Sequence, residues 1–497
     1  MSNSFSVTEK VKNFGLVNRY LNTGRFFPLF EIVVMVYAAF TIITQVLLQI
    51  SPFMTFLAKT PFYSIQTLLG LFGAALIVID FFTNKTIWKG KYCYLLIGIL
   101  VLAAIASVRM ISYGTKENIF KLCWAAIQFT LFYSLAHRVS RETLKKYITG
   151  IFATVLTLWL VACVYSLYQF VFQIGYWEVV NPLALDSSAN RQGFFDNRLF
   201  GIFYTLNHAA YVSLILFLIG LLYIIKTKKI LVRIALVVSD FILLCHILLS
   251  GSRSALVSFV AAILFISWLL LRRKINIKGF FNTLLPVLLA IVIAVSSLQG
   301  ALIVKKGLAK VPAFCESFIK TEQVVPPNEN VLHRENLEDD QSNGRFDIWS
   351  DYIKLYKQVG LVGLSPGNYM PYIHENHQDL YIVDYIKEHY PDKYDSGFVH
   401  HVHNGFIMVY VSAGILGIIL LAIFMVLCIR KVFAKIKQER QLSYLFICSF
   451  VIVVVGAISA VFDEGLFFQN NPHTTAFWLA LGILMKEACK TKEKGNS

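Results

Sequence analysis

Charge is scarce in this chain, and acidic charge is scarcest: 29 Asp and Glu against 45 Lys and Arg, together 15% of 497 residues. Soluble domains carry roughly 25% charged and about 45–50% apolar residues, whereas 57% of this chain is hydrophobic. The formal charge of +16 therefore does not describe a nucleic-acid binder, whose Lys and Arg cluster among polar residues on one face. A mean hydropathy of +0.63 points to lipid instead. The eight Cys lie far apart, with no Cys-x-x-Cys pair, which excludes a disulfide framework or a metal knuckle of that type. Twelve Pro and 28 Gly exclude a fibrous or low-complexity chain. No early apolar run or small-residue cleavage site follows the polar, basic first 25 residues, so no removable signal peptide is expected. A Gly-x-x-x-x-Gly-Lys-Ser/Thr loop is also missing, which argues against ATP drive. No internal repeat is visible.

What the sequence has in quantity is long apolar runs. A spanning helix needs about 20 largely apolar residues, and twelve candidates occur, near 30–49, 62–82, 92–108, 119–136, 148–174, 207–225, 231–249, 254–271, 280–298, 404–429, 442–461 and 474–485. The last is the weakest, with an apolar core of only a dozen residues. With the N-terminus in the cytoplasm, 28 of the 45 Lys and Arg fall in short cytoplasmic loops and tails, as the positive-inside rule requires. Both termini are then expected in the cytoplasm. The expected fold is an all-α polytopic membrane protein with about twelve transmembrane helices and one large outer loop. Its parts are an N-terminal bundle (1–298), the loop (299–403) and a C-terminal bundle with a basic tail (404–497). The loop is net negative, with ten Lys and Arg against fifteen Asp and Glu. Its stretch 321–343 reads as a flexible excursion. Phe346, Trp349, Tyr352, Ile353 and Tyr356 predict an amphipathic helix, and 380–390 predicts a second.

Candidate chemistry gathers at the outer rim. Nine of eleven His are outer under this topology, and His400, His401 and His403 sit where the loop re-enters the membrane, where a His can serve as a general base. Arg253, in the corner Ser250-Gly251-Ser252-Arg253-Ser254-Ala255, begins a helix, where backbone N–H groups and a guanidinium together suit phosphate. Arg345, in Gly344-Arg345-Phe346-Asp347-Ile348-Trp349, would supply a second cation for a diphosphate. Arg191 and Arg198 lie in an outer loop before the sixth span. Asp240 and His246 are polar groups within the seventh, and Asp240 is expected to partner Arg233. No Asp-x-Asp occurs in the outer segments, so a nucleotide-sugar site of the divalent-ion type is not expected. His374-x-x-His377 with the His400 cluster lacks a spacing that specifies zinc, and no metal or other cofactor is expected.

These residues resemble the O-antigen ligase and O-antigen polymerase superfamily of bacterial membrane glycosyltransferases. His403-Asn404, nine residues, then Gly414-x-x-Gly417 is similar to its His-Asn-nine-Gly-x-x-Gly signature. Ser252-Arg253-Ser254-Ala255 resembles its Ser-Arg-Ser-Ala corner, and Gly344-Arg345 with Trp349 its Gly-Arg-x-x-x-Trp element. Gly363 to Gly367 resembles a Gly-x-Gly turn with an insertion. The resemblance implies a GT-C-like architecture and transfer of a glycan from an undecaprenyl-diphosphate carrier to an acceptor hydroxyl outside the membrane, without a metal and with inversion. By that resemblance His403 is the base, while Arg253 and Arg345 hold the diphosphate. His401, Asn404, Arg191, Arg198 and Trp349 are candidates to support these three residues or to touch substrate, and Trp349 and Tyr369 are candidates to stack on sugars. The implied partners are the lipid-linked glycan, a glycan or glycolipid acceptor, membrane lipid, a flippase and a chain-length regulator.

The acceptor is left open by the sequence. A polymerase extends another lipid-linked unit, as for O-antigen or capsule, and a ligase uses a different acceptor such as lipid A core, a teichoic-type glycolipid or a protein. The paired Arg-x10-Gly elements of some polymerases are absent. A transporter or flippase is the rival class. It calls for a charged midplane site in two related halves, whereas the first six spans read as almost free of intramembrane charge.

Overall fold

The computed structural model describes residues 26–60, 64–180, 190–275, 281–319 and 344–490. The basic stretch up to Arg25, Lys278, the excursion 321–343, Lys492 and Lys494 lie outside the described residues. Each of the twelve apolar runs forms a helix: α1 Phe26–Leu47, α2 Ile65–Phe82, α3 Cys93–Arg109, α4 Lys116–His137, α5 Arg141–Val171, α6 Leu206–Lys226, α7 Ile230–Ser250, α8 Arg253–Lys274, α9 Phe281–Ala309, α10 Gly405–Gln438, α11 Tyr444–Phe462 and α12 Pro472–Ala488. Among the described residues, ten of these are long and apolar enough to cross a membrane. Helix α3, at 17 residues, is a shorter apolar one. The chain is an all-α polytopic membrane protein, and all eight Cys are free thiols. Helices α2 and α9 bury least and turn apolar side chains such as Leu71, Phe72, Ile291 and Val292 outward.

Helix α12 explains its own weak hydropathy. It packs against α1, α4, α6, α10 and α11, so protein rather than lipid surrounds it, and it carries buried His473, Thr474, Thr475 and Glu487. Trp478 anchors it, with its ring 4.6 Å from that of Phe129 and its indole N–H donating to the Leu466 carbonyl at 3.1 Å. Gly482 allows the closest approach, since a Cβ there would lie 2.0 Å from the Tyr133 carbonyl oxygen of α4.

The connections alternate between a basic end, which carries the Lys- and Arg-rich turns, and a loop end. Near the basic end the structure corrects the expectation that the first six spans hold little charge. Arg138 is buried between Glu31 of α1 (2.9 Å) and Asp80 of α2 (3.1 Å), and Asp80 also accepts from the Ile87 N–H at 2.7 Å. The acids lie inside apolar runs and their partner lies far along the chain. Asp240 departs from expectation too. It packs against Gly220 of α6, while Arg233 reaches toward the basic end and donates to the Thr227 carbonyl at 2.7 Å, as a long cationic side chain near a membrane surface does. His246 accepts or donates at 2.9 Å to Ser213, which is also bonded by the Trp159 indole, and is part of the core.

At the loop end, the segment before α6 is a three-stranded antiparallel sheet in the order β1 Gly175–Glu178, β2 Asn190–Phe195, β3 Arg198–Gly201. The sequence reading had a loop here. Asp196 and Asn197 both take positive φ (45° and 57°), the geometry of a two-residue hairpin turn. In the large loop, helix Arg345–Lys354 buries Ile348, Asp351 and Tyr352. Phe346, Ile353 and Tyr356 of the predicted apolar stripe are exposed, and the face that packs on the protein is the one carrying Ile348 and Tyr352. Helix Tyr381–His389 buries Ile382, Val383 and Ile386, as its pattern predicts.

The loop is stitched to the bundle at a break in α10. Gly414 has φ 71° and ψ −167°, so the helix ladder is interrupted and its backbone needs other partners. Loop residues supply them: Ile415 N–H donates to the Gly360 carbonyl (3.1 Å), Leu416 N–H to Leu361 (3.2 Å), and Leu364 N–H to Val411 (2.6 Å). A Cβ on Gly414 would lie 2.3 Å from the Leu361 carbonyl, and one on Gly363 2.6 Å from the Ala413 nitrogen. Beyond the break, Asn368 donates to the Met110 and Gly114 carbonyls at 2.6 and 2.8 Å.

Two outcomes follow from these contacts. Asp80→Ala leaves Arg138 with half its partners and is expected to cost about 3–5 kcal/mol, read as a lower unfolding midpoint in detergent. Gly414→Ala is expected to unseat the loop, read as faster proteolysis between Lys354 and Asn368 in the folded protein. Unchanged protection there would reject the stitching.

Candidate active site

Four segments of the loop end converge. Helix α7 ends at Ser250, and Gly251 (φ 64°) turns the chain so that α8 begins at Arg253 two residues later. Ser250 Oγ accepts from the Ser252 N–H at 3.2 Å. Arg198 of β3 braces this corner: its Nε donates to the Ser250 carbonyl at 3.0 Å. Arg253 is exposed. Gly344 (φ 73°) starts helix Arg345–Lys354 against Tyr381, and the Arg345 guanidinium lies 6.0 Å over the ring of Phe462, the last residue of α11. There it feels the charges of Asp463 and Arg253.

Asn404 caps α10. Its Oδ1 accepts from the Phe406 and Ile407 N–H groups at 2.9 and 3.0 Å, and its Nδ2 donates to the Val461 carbonyl of α11 at 3.1 Å. The preceding His403 is held with φ 48°, an uncommon backbone for a residue with a Cβ. Its ring lies 5.2 Å from that of His400 and 6.1 Å from that of His401. The Tyr352 hydroxyl fixes the same segment by donating to the His400 carbonyl at 2.6 Å.

Two acids between α11 and α12 complete the cluster. His401 Nδ1 lies 3.0 Å from Glu464 Oε1, and His208 Nε2 lies 3.4 Å from Asp463 Oδ2. His473 sits 4.8 Å from His208 and 5.5 Å from Tyr211, ring to ring. Burial pushes the Asp463 carboxyl up, but the adjacent His208 outweighs it and holds it well below the usual range. Glu464 is likewise held down against its burial, chiefly by His401. Burial, then His401, lowers the His403 pKa below that of a free imidazole, although Glu464 and Asp463 pull it up. Burial, then His403, brings His400 to about 4. His403 is therefore unprotonated at neutral pH, the state a general base needs.

The sequence candidates separate on this geometry. Arg253, Arg345, His403 and His401 come together, Asn404 positions them, and Arg198 braces the Arg253 corner. Arg191 is instead held on the sheet by Asp196 and by the rings of Trp177 and Phe195 at 5.3 and 5.6 Å. Trp349 is half-buried against Phe346. Tyr369 is 1% exposed, packed against Tyr352 and Lys121, and cannot offer a face to a sugar. Among the described residues no three His, Cys, Asp or Glu side chains form a group that could hold a metal ion. Sequence reasoning passed over Asp463, Glu464, His208, His473 and Tyr211. The available signal was an Asp-Glu pair inside the apolar stretch Ala460-Val-Phe-Asp-Glu-Gly-Leu-Phe-Phe468.

Residues 238–422 match a family model described as O-antigen ligase. Over that segment the chain is similar to the O-antigen ligase family. The matched segment holds Arg253, Arg345, His403 and the glycines of the α10 break, while Asp463, Glu464, His208 and His473 lie outside it. No curated protein and no solved structure matches the chain. The match, with the many apolar helices, supports a multi-pass membrane protein of a glycan-transferring kind.

Asn404→Ala removes two capping bonds and the tie to α11. The expected cost is about 0.5–2 kcal/mol, with faster modification of His403 by diethyl pyrocarbonate, mapped by mass spectrometry. Unchanged His403 reactivity would show that the cap does not set its position.

Proposed function

We propose that the protein moves a glycan from undecaprenyl diphosphate to an acceptor hydroxyl at the outer face of a bacterial plasma membrane, joining polysaccharide repeat units as an O-antigen or capsule polymerase. The observation that carries this reading is the meeting of Arg345 with both Arg253 and His403, each delivered by a different segment. His403 accepts the proton as the acceptor oxygen attacks the anomeric carbon. The bond from that carbon to the diphosphate oxygen breaks, and the configuration inverts. Arg253 and Arg345 stabilise the charge on the departing diphosphate, with no metal required. Asp463 and Glu464 hold His208 and His401 around the base. Both termini are cytoplasmic in this reading and the large loop faces outward. A flippase supplies the donor, and a chain-length regulator is a further partner.

A second reading draws on the description of the matched family, O-antigen ligase: the finished glycan passes to a different acceptor. One assay separates the two. Purified protein receives undecaprenyl-diphosphate oligosaccharide with chelator, alone or with a glycolipid acceptor. Lengthened lipid-linked glycan without added acceptor supports polymerisation, and product only with the second acceptor supports ligation. Loss of activity to chelator would overturn metal independence.

His403→Ala is expected to lower turnover by about 10²-fold or more, and Arg253→Ala to abolish it with the fold retained. Activity surviving His403→Ala would remove the base assignment. Because His403 must be unprotonated and its pKa is lowered by burial, kcat/KM should be flat at neutral pH. It should fall only as the pH drops through an apparent pKa below that of free imidazole.

A further inference from the structure

Two cavities meet at the basic end, away from the site above. The first is an apolar slot of about 440 Å³ between α1, α5, α6, α11 and α12. Along α6 it runs from Val212 to Lys226, about 21 Å at 1.5 Å per residue, walled by side chains such as Ile215, Ile219, Phe152 and Leu479. The second is a polar chamber of about 480 Å³. They share Arg141, Ser443 and Tyr444, so a polar chamber opens onto an apolar slot.

The charges are arranged to match. Among the described residues, Arg141, Arg273, Lys435 and Lys490 line the chamber with Glu439 and Glu487 to oppose them, and Lys145 and Lys226 stand at the mouth of the slot. The two chamber carboxylates are engaged by Arg141, Lys435 and Lys490 at 2.6–3.2 Å, and the walls keep a cationic excess. The other end of the slot is uncharged: Pro472 and His473 close it, with buried Tyr211 packed against His473. Neither Arg253 nor Arg345 is among the described residues that line it. A polyprenyl diphosphate seated here would have its charged end far from both arginines.

We propose that this bipartite cavity binds an anionic phospholipid of the leaflet at the basic end. Its phosphate lies where chamber and slot meet, beside Arg141 and facing Lys145 and Lys226 at the mouth of the slot, and one acyl chain extends along the slot toward His473. Basic pockets between membrane helices recognise headgroups in this way. The inference does not rest on the glycan-transfer reading, because none of the residues given a role in that chemistry holds the lipid.

Native mass spectrometry of the full chain in detergent tests it, with dioleoylphosphatidylglycerol, dioleoylphosphatidylcholine and undecaprenyl phosphate as probes. Phosphatidylglycerol is expected to bind at least about tenfold more tightly than phosphatidylcholine, since each basic residue near a lipid surface contributes about 1 kcal/mol. Lys145→Ala combined with Lys226→Ala should remove that preference. Ala476→Phe, which fills the slot, should weaken phosphatidylglycerol binding by a similar factor without changing the charge. Where Ala476→Phe fails to fold, the double Lys variant decides. Equal binding of the two phospholipids, displacement of phosphatidylglycerol by undecaprenyl phosphate, or affinity unchanged in the variants would each overturn the proposal.

Discussion

The interruption of α10 at Gly414 is the constraint on which the rest of the loop end depends. A backbone break within a membrane bundle leaves N–H and C=O groups that lipid cannot satisfy. Here the Gly360–Leu364 segment satisfies them, and only glycine at 363 and 414 lets the two backbones come so close. That contact fixes the large loop against the same helix whose N-terminus follows His403. Arg345 on the loop and His403 at the membrane edge are thereby held in one register, although an excursion of more than twenty residues separates Arg345 from the bundle on its other side.

Within that frame the site is an electrostatic balance. Histidines surround two buried acids, and two arginines approach from separate corners. An acid as enclosed as Glu464 would be costly there without a partner. Asp463 and Glu464 stay ionised because His208 and His401 stand beside them, and His403 stays neutral because burial and its neighbouring histidine disfavour a further positive charge. The cluster as a whole, rather than any one motif, produces an unprotonated imidazole beside paired guanidiniums.

The two ends of the bundle divide their roles by charge. At the loop end the charged groups around His403 stand in defined contacts. The basic end carries the bulk of the cations on short turns, pins α1, α2 and α4 together through Arg138, and surrounds an amphiphile-shaped cavity. The formal excess of positive charge belongs to this second end and says little about the glycan substrate.

Much was legible in the sequence. Apolar run length marked every long helix, since spanning lipid requires it regardless of neighbours. The Arg253, Arg345 and His403 motifs were readable because their spacing is local. What the sequence could not supply was anything decided by a partner distant in the chain. Helix α12 looked weak because hydropathy measures fitness for lipid, and its surroundings are protein. The β2–β3 turn at Asp196-Asn197 is a local feature, but the strand that completes the sheet, β1, lies earlier in the chain and joins only through tertiary pairing. Glu31, Asp80 and Arg138, the acids at 463 and 464, and the seat at Gly414 acquire meaning only through contacts that tertiary packing makes, because a charge or a glycine alone carries no record of what it will face. By itself, then, the sequence determined that this is a many-spanning membrane protein with a histidine cluster and two arginines in its loop-end motifs; the folded chain decided which neighbours set their protonation and position.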